Sequence, residues 1–170
     1  MVLVTSWVFA ENAPFAPKLR MYSMIDLARA NVIVDKALAH GRALSLPPLT
    51  VAVLDAGGCL VSFKREDGSS LLRPEIAQAK AWGALGMGIG SRAIAQRAAV
   101  APAFVSAVNA LAGGRLIPVP GGVLIRSSGK SIIGAVGITG ATSDQDEACA
   151  VAGIEAAGFI ADTGADTAAK

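Results

Sequence analysis

The sequence predicts an α/β layer structure built on an antiparallel sheet. The first observation is the order of elements along the chain, which is a helix, two strands, three helices, two strands and a final helix. The second is the short connection within each strand pair, Ala56-Gly57-Gly58 in the first and Ser127-Ser128-Gly129-Lys130 in the second. Because such turns reverse the chain, both pairs are expected to be hairpins rather than parts of a doubly wound parallel sheet.

The first helix is predicted over residues 24–44. Ser23 precedes this stretch as a candidate cap, Asp26 lies near the positive end of the helix dipole, and Pro47-Pro48 prevents continuation. One face of the helix is expected to pack on a core, because apolar residues recur at helical spacing at Leu27, Ala30, Val34 and Leu38.

Two strand pairs are predicted on either side of the middle helices. Residues 49–55 are apolar on both faces, which is typical of a strand covered on both sides, and residues 59–65 return with partial alternation. The second pair consists of a short strand at 123–126 and a longer one at 131–139. Glycines in the connecting turns supply backbone conformations that other residues rarely adopt.

The remaining helices are predicted over 74–85, 91–99 and 102–111, followed by a last helix over 144–162. Prolines open the first and third of them, where a missing N–H costs no hydrogen bond. Ser143 is the candidate N-cap of the last helix. Its narrow apolar side consists of Ala150, Ile154, Gly158 and Ala161.

Composition excludes several classes of protein. The chain has 170 residues, of which 53% are hydrophobic and 16% charged, so we expect one ordered domain and no extensive disorder. Fifteen Lys and Arg residues against thirteen Asp and Glu residues give a net charge of +2, which offers no electrostatic support for nucleic-acid binding. High apolar content at low charge favours a homo-oligomer, of at least two chains.

Residues 1–22 are expected to form an N-terminal arm preceding a single domain at 23–170. Pro14 and Pro17 disfavour a helix there, and a secretory signal is not indicated because no Lys or Arg precedes Lys18. No apolar run reaches the roughly 20 residues that span a bilayer. We therefore expect a soluble, cytoplasmic protein.

Cys59 and Cys149 are the only cysteines and His40 is the only histidine. No zinc site can be assembled from them, and two buried free thiols are favoured over a disulfide. His40 is expected near the C-terminus of the first helix, either as a surface residue stabilised by the helix dipole or as a haem ligand. The sequence contains no pattern typical of triad hydrolases.

Charged residues provide two further candidates. Lys80 lies in a helix face of small apolar residues, where it either extends to solvent or points into a pocket to meet an anion. In the second case Lys80→Ala is expected to weaken ligand binding without disturbing the fold. Asp55 ends one predicted strand, whereas Arg65 and Asp67 end the next, so a structural salt bridge or a site at this hairpin is expected.

Glycines and carboxylates each allow a structural or a functional interpretation. Gly121-Gly122 has amides that are free to line a cavity, and Gly134, Gly137 and Gly140 indicate close approach of a ligand or of another backbone. The acidic group at the start of the last helix is explained by helix capping, with a metal site or proton transfer as the alternative, and consists of Asp144, Asp146 and Glu147.

Five ordered blocks over roughly residues 23–160 resemble one protein family. They are VAVLDAGG at 51–58, FKREDG at 63–68, Lys80-Ala81, PGGV at 120–123, and IGAVGITG at 133–140 with DQDE at 144–147. Together they resemble the GlcG/HbpS family, the haem-degrading or DUF336 domain, which is related to the C-terminal domain of PduO-type proteins. The resemblance implies a profilin-like three-layer sandwich, with helices flanking an antiparallel sheet, that assembles into homo-oligomers.

The resemblance also implies two possible functions. The first is binding of haem or another tetrapyrrole, with a role in haem degradation or iron handling. The second is an accessory or enzymatic role with a small carboxylated metabolite, since Lys80 and Arg65 suit either a propionate or a free carboxylate. Seven residues in the matching blocks are the candidate ligand-binding residues: Asp55, Arg65, Lys80, Gly121, Gly122, Gly140 and Glu147.

Overall fold

The computed structural model describes residues 24–165, so the N-terminal arm expected at 1–22 lies outside the described residues. The described residues form five helices and five strands. In chain order these are α1 Leu27–Ala43, β1 Thr50–Asp55, β2 Leu60–Arg65, α2 Arg73–Met87, α3 Ser91–Val100, α4 Pro102–Leu111, β3 Gly122–Arg126, β4 Ile132–Thr139, α5 Ser143–Ala156 and β5 Ile160–Asp162.

The strands form one antiparallel sheet in the order β2-β1-β4-β3-β5. Both predicted hairpins are therefore confirmed, and their turns lie at the same end of the sheet, which we call the hairpin end. The opposite end, which we call the open end, contains Thr50, Arg65, Gly122 and Thr139. Thr50 is the register partner of both Arg65 and Thr139.

Helices α1 and α5 cover one face of the sheet. Alternate residues of the strands point toward these helices, as in any sheet that is buried on both faces. The core between them contains Ile33, Val34, Val51, Val53, Val123, Ile125, Val136, Ile138, Ala150 and Ile154.

Helix α2 covers the other face, where it lies unusually close to the strands. A Cβ atom added at Gly137 would lie 1.8 Å from the carbonyl oxygen of Ala77, and one added at Gly122 would lie 2.2 Å from that of Lys80. The helix side of this contact also uses small residues, Ala81 and Ala84, which are fully buried. The three-layer α/β sandwich that the sequence and the family resemblance predicted is thus confirmed.

Helices α3 and α4 form a smaller cluster beside this sandwich. Ile94, Val105 and Leu116 are its buried members. The two helices span the ranges predicted from the sequence to within one residue. Among the described residues, no helix is both long and apolar enough to cross a membrane.

The first helix starts later than predicted. It begins at Leu27, because Asp26 has an extended backbone and its carboxylate accepts a hydrogen bond from the N–H of Arg29 at 2.8 Å. Asp26 is therefore the N-cap rather than a residue of the first turn. Leu27 was expected on the apolar face but is 59% exposed, and Ile33 and Ala37 are buried there instead.

The last helix ends earlier than predicted and is followed by a strand. Gly158 adopts a φ of +80°, which ends the helical path, and β5 then pairs with β3. The prediction that Gly158 and Ala161 lie on the helix was therefore wrong. The N-cap is Thr142 rather than Ser143, since Thr142 and Gln145 form a reciprocal capping box.

The close packing of α2 predicts the effect of adding one methyl group. We expect Gly137→Ala to lower the free energy of unfolding by about 3 kcal/mol, because a backbone carbonyl oxygen occupies the required space. Gly129→Ala is the matched control, since its added Cβ would have no neighbour closer than 3.8 Å. Urea denaturation of both variants measures the difference. A loss for Gly137→Ala no larger than that of the control would contradict the close approach.

Candidate functional site

Six of the seven candidate ligand-binding residues belong to or flank the open end of the sheet, and Asp55 does not. Asp55 ends β1 at the hairpin end, whereas Arg65 ends β2 opposite Thr50. Antiparallel strands bring the end of one strand next to the start of the other, so the salt bridge expected between Asp55 and Arg65 at this hairpin was wrong. The Asp55 carboxylate instead accepts hydrogen bonds from the N–H groups of Gly57 and Cys59 at 2.8 and 2.9 Å.

Lys80 is buried in an ion pair with Asp146. Its Nζ donates to Asp146 Oδ2 and to the carbonyl oxygen of Ile138, both at 2.9 Å. The two charged side chains are only 3% and 2% exposed. Lys80 thus points inward rather than to solvent, and the anion that it meets is a protein carboxylate. A contact between Lys80 and a ligand stays a prediction.

Burial of this ion pair disfavours the charged form of both side chains. Desolvation lowers the pKa of the Lys80 ammonium and raises the pKa of the Asp146 carboxyl, while their mutual attraction acts against both shifts. Asp146 Oδ1 also accepts a hydrogen bond from the N–H of Ala141 at 3.0 Å. The pair therefore links α2, β4 and the start of α5 across the open end of the sheet.

Packing accounts for the three candidate glycines. Gly121 has a φ of +113°, and a Cβ there would lie 2.8 Å from the Lys80 Nζ. The N–H of Gly122 donates to Ser91 Oγ at 2.7 Å, so this amide does not line a cavity. A Cβ at Gly140 would lie 2.3 Å from the carbonyl oxygen of Pro48. Close approach of another backbone or side chain explains each glycine, and their contact with a ligand stays a prediction.

Glu147 is held at the start of α5 by Arg92, a residue that the sequence did not single out. Glu147 Oε1 accepts from Arg92 Nε at 2.8 Å, and the same guanidinium pairs with Asp144. Oε2 is buried and has no hydrogen-bond partner in the described part of the chain. Burial is the main cause that raises the pKa of the Glu147 carboxyl. The described residues contain no cluster of metal-ligating side chains that could hold an ion.

A second candidate site lies beside α2, away from the residues discussed so far. It is a cavity of about 390 Å³ between this helix, the end of β1 and the segment 114–117. The guanidinium of Arg115 lies over the ring of Trp82, with Cζ 4.1 Å from the ring centroid. The apolar lining consists mainly of Leu54, Leu72, Ile76, Trp82 and Ile117, and the polar lining of Glu75, Gln78 and Arg115.

Trp82 and Arg115 were missed because their importance depends on tertiary contacts. Trp82 is one large residue in a helix of small ones, and this was the only sequence signal available. Trp82 also lines a smaller cavity of about 230 Å³ toward α4. A larger cavity, of about 530 Å³, has mostly charged walls of both signs, formed by Arg42, Lys64, Arg65, Glu66 and Asp67. We call the cavity of about 390 Å³ the Trp82 cavity. It is more apolar than the cavity of about 530 Å³, and it is of ordinary size for a small-molecule site.

The cysteines and the histidine take separate positions. Both cysteines are free, but only Cys149 is buried, so the expectation of two buried thiols was wrong for Cys59. Cys59 follows the hairpin turn and is exposed to solvent. Burial raises the pKa of the Cys149 thiol to about 11. His40 lies in the last turn of α1 as predicted, on the opposite side of the sheet from Trp82.

Comparison with known proteins identifies relatives of this chain. A family model described as "Haem degrading protein HbpS-like" matches residues 25–155. No curated protein sequence gives a significant match. The chain is similar in structure to Klebsiella pneumoniae protein ORFY of the DUF336 family, with 25% sequence identity and a TM-score of 0.73, covering 83% of this chain and 95% of that one.

Two further solved structures share the fold. HbpS has 24% sequence identity and a TM-score of 0.71, with 85% of this chain and 97% of that chain covered. A complex of PduOC with haem has 22% identity and a TM-score of 0.72, with 80% and 96% covered. These neighbours bear out the fold, and the haem in the second is a property of PduOC.

The buried ion pair predicts that Lys80 is essential for stability. We expect Lys80→Ala to lower the free energy of unfolding by about 3–5 kcal/mol, because it leaves the Asp146 carboxylate buried without its cation. This replaces the expectation that the substitution leaves the fold intact. Urea denaturation at neutral pH measures the effect.

The matched control is Lys64→Ala, because the Lys64 ammonium pairs with Asp35 where both side chains are more than half exposed. Its removal is expected to cost less than about 1 kcal/mol. Equal losses in the two variants would show that burial does not distinguish the two ion pairs.

Proposed function

The chain belongs to the HbpS-like family of haem-degrading proteins, and from this premise we propose that it binds haem. The structural observation that carries the proposal is the apolar cavity beside α2, in which Arg115 lies over Trp82. The haem complex of PduOC, a protein of the same fold, supports the ligand class. Haem degradation, which the family description names, and iron handling are the roles we propose for the bound complex.

The residues of the Trp82 cavity fit the chemistry of a haem group. A macrocycle is flat and apolar, so Trp82, Ile76 and Leu72 offer a wall on which it can stack and exclude water. Arg115 is exposed at the rim, and its guanidinium has donors that match a propionate carboxylate. The volume of about 390 Å³ would accommodate part of the group.

The same cavity restricts how the iron is held. Of the side chains that line it, as far as the structure describes them, none is a histidine, tyrosine, cysteine or methionine. His40 lies on α1, which covers the other face of the sheet. Bound haem supplies an iron centre for redox chemistry. The protein's contribution in this proposal is apolar burial and a propionate contact, without an imidazole ligand from the same chain.

We further propose that the protein is a cytoplasmic homo-oligomer. Large apolar side chains remain exposed in the single chain, including Leu71 at 86%, Val100 at 84% and Leu111 at 89%. Their burial against a second copy would remove apolar surface from water. Two free cysteines are consistent with a reducing compartment.

The proposal predicts that Arg115→Gln weakens haemin binding about fivefold, since it removes one charge-assisted contact at a solvent-exposed position. Haemin titration followed at the Soret band measures the affinity. The matched control is Arg97→Gln, because Arg97 also lies over an aromatic ring, that of Phe104, but outside the cavity. In a Trp7→Phe background, bound haemin should also quench the fluorescence of Trp82. Binding that leaves this fluorescence unchanged would place haem elsewhere.

The position of His40 generates a separate prediction. We expect His40→Ala to leave haemin affinity and the Soret position nearly unchanged, because the imidazole does not reach the Trp82 cavity. Spectra of the wild-type and variant complexes, recorded at matched haemin saturation, test this directly. A shifted or lost Soret band in the variant would identify His40 as the iron ligand and would reject the Trp82 cavity as the complete site.

A further inference from the structure

Two arginines at the open end of the sheet form no ion pair with a carboxylate of residues 24–165. We propose that Arg65 and Arg73, together with the hydroxyl groups of Thr50 and Ser69, form a binding site for a small dicarboxylate. The inference does not depend on haem binding, because none of these residues lines the Trp82 cavity.

The strand register brings the members of the site together. Thr50 is the direct partner of Arg65 on one side and of Thr139 on the other, and cross-strand partners point to the same face of a sheet. Arg73, the first residue of α2, reaches this face and donates from Nη1 to Thr139 Oγ1 at 2.6 Å. Arg65 donates from Nη2 to the carbonyl oxygen of Ser69. The two guanidinium groups are therefore anchored on opposite sides of Thr50.

These two arginines differ from the other described arginines in the partners of their guanidinium groups. Every other arginine that the structure describes pairs with a carboxylate or lies over an aromatic ring: Arg29, Arg42, Arg92, Arg97, Arg115 and Arg126. Among the described residues, Arg65 and Arg73 each donate one side-chain hydrogen bond, to a neutral oxygen, whereas a guanidinium has five N–H groups. Two neighbouring cations with free donors attract an anion.

Two buried hydroxyl groups point to the same conclusion independently. Thr50 is fully buried and Ser69 is 7% exposed, yet neither side-chain oxygen has a hydrogen-bond partner among the described residues. A buried polar group without a partner destabilises a protein by about 1–3 kcal/mol, so such groups are rare unless a ligand or water satisfies them. Both hydroxyls belong to residues next to Arg65: Thr50 is its cross-strand partner, and Ser69 provides the carbonyl oxygen to which Arg65 donates.

The spacing favours a ligand with two carboxylates. Arg65 and Thr139 lie two strands apart, a separation of roughly 10 Å between backbones, and each anchors one guanidinium. A carboxylate pairs with a guanidinium through two parallel hydrogen bonds. A short dicarboxylate can therefore bind both guanidinium groups and neutralise both charges. Arg65 is exposed and Arg73 is partly exposed, which gives the site access to solvent. Free dicarboxylates and the two propionates of haem share this chemistry.

Calorimetric titration with succinate tests the site, with its neutral diamide, succinamide, and inorganic phosphate as comparison ligands. We expect succinate to bind, succinamide not to bind, and both Arg65→Gln and Arg73→Gln to weaken succinate binding at least about tenfold. Arg97→Gln removes the same charge elsewhere and should leave succinate binding unchanged. Absence of succinate binding, equal binding of the diamide, or tighter binding of phosphate through the same arginines would overturn the proposal.

Thr50→Val separates a ligand contact from a structural one. Because the hydroxyl has no partner within the described chain, the variant should be at least as stable as the wild type but bind succinate about three- to tenfold more weakly. A destabilised variant with unchanged affinity would overturn the role of Thr50.

Haemin titrations of Arg65→Gln and Arg73→Gln determine whether the carboxylates that bind here belong to haem or to a free dicarboxylate. Weakened haemin binding identifies the propionates, whereas unchanged haemin binding with lost succinate binding identifies a free dicarboxylate.

Discussion

The close approach of α2 to the sheet is the constraint on which the open end depends. Because Gly137 and Gly122 have no side chains, the carbonyl groups of Ala77 and Lys80 can lie directly against the strands. At this distance the lysine side chain extends past the end of the sheet and reaches Asp146 on the helix layer of the opposite face. A residue larger than glycine at either strand position would separate the layers and with them the two charges.

The resulting ion pair also determines which charges remain available to a ligand. Asp146 lies at the open end, and both of its oxygens accept hydrogen bonds, from Lys80 and from the N–H of Ala141. Glu147 and Asp144 are similarly engaged by Arg92. Since Lys80 and Arg92 already engage these carboxylates, none of the three forms an ion pair with Arg65 or Arg73. Internal charge pairing at one side of the open end therefore creates the conditions for anion binding at the other.

One helix contributes to both of the proposed sites. Arg73 begins α2 at the open end, whereas Trp82 lies more than two turns later, beside the hairpin end and within 3.2 Å of a Cβ added at Gly58. The proposed dicarboxylate site is polar and binds a charged group, whereas the Trp82 cavity is apolar and excludes water. Because the same helix backbone fixes both positions, a change in its packing on the sheet is expected to disturb the two sites together.

Local patterns in the sequence determined both hairpins, the ranges of α3 and α4 and the apolar character of β1, because each depends on residues close together in the chain. The end of α5 was not predictable, since β5 forms only by pairing with β3. The sequence also identified Lys80, but its partner lies 66 positions away, and only the packed layers bring them together. Asp55 and Arg65 show the reverse case, in which nearness in sequence suggested a contact that strand direction forbids. The sequence by itself determines local conformation and which residues could carry chemistry, because both depend on residues close together in the chain. Strand register and the packing of the layers determine which charged groups meet.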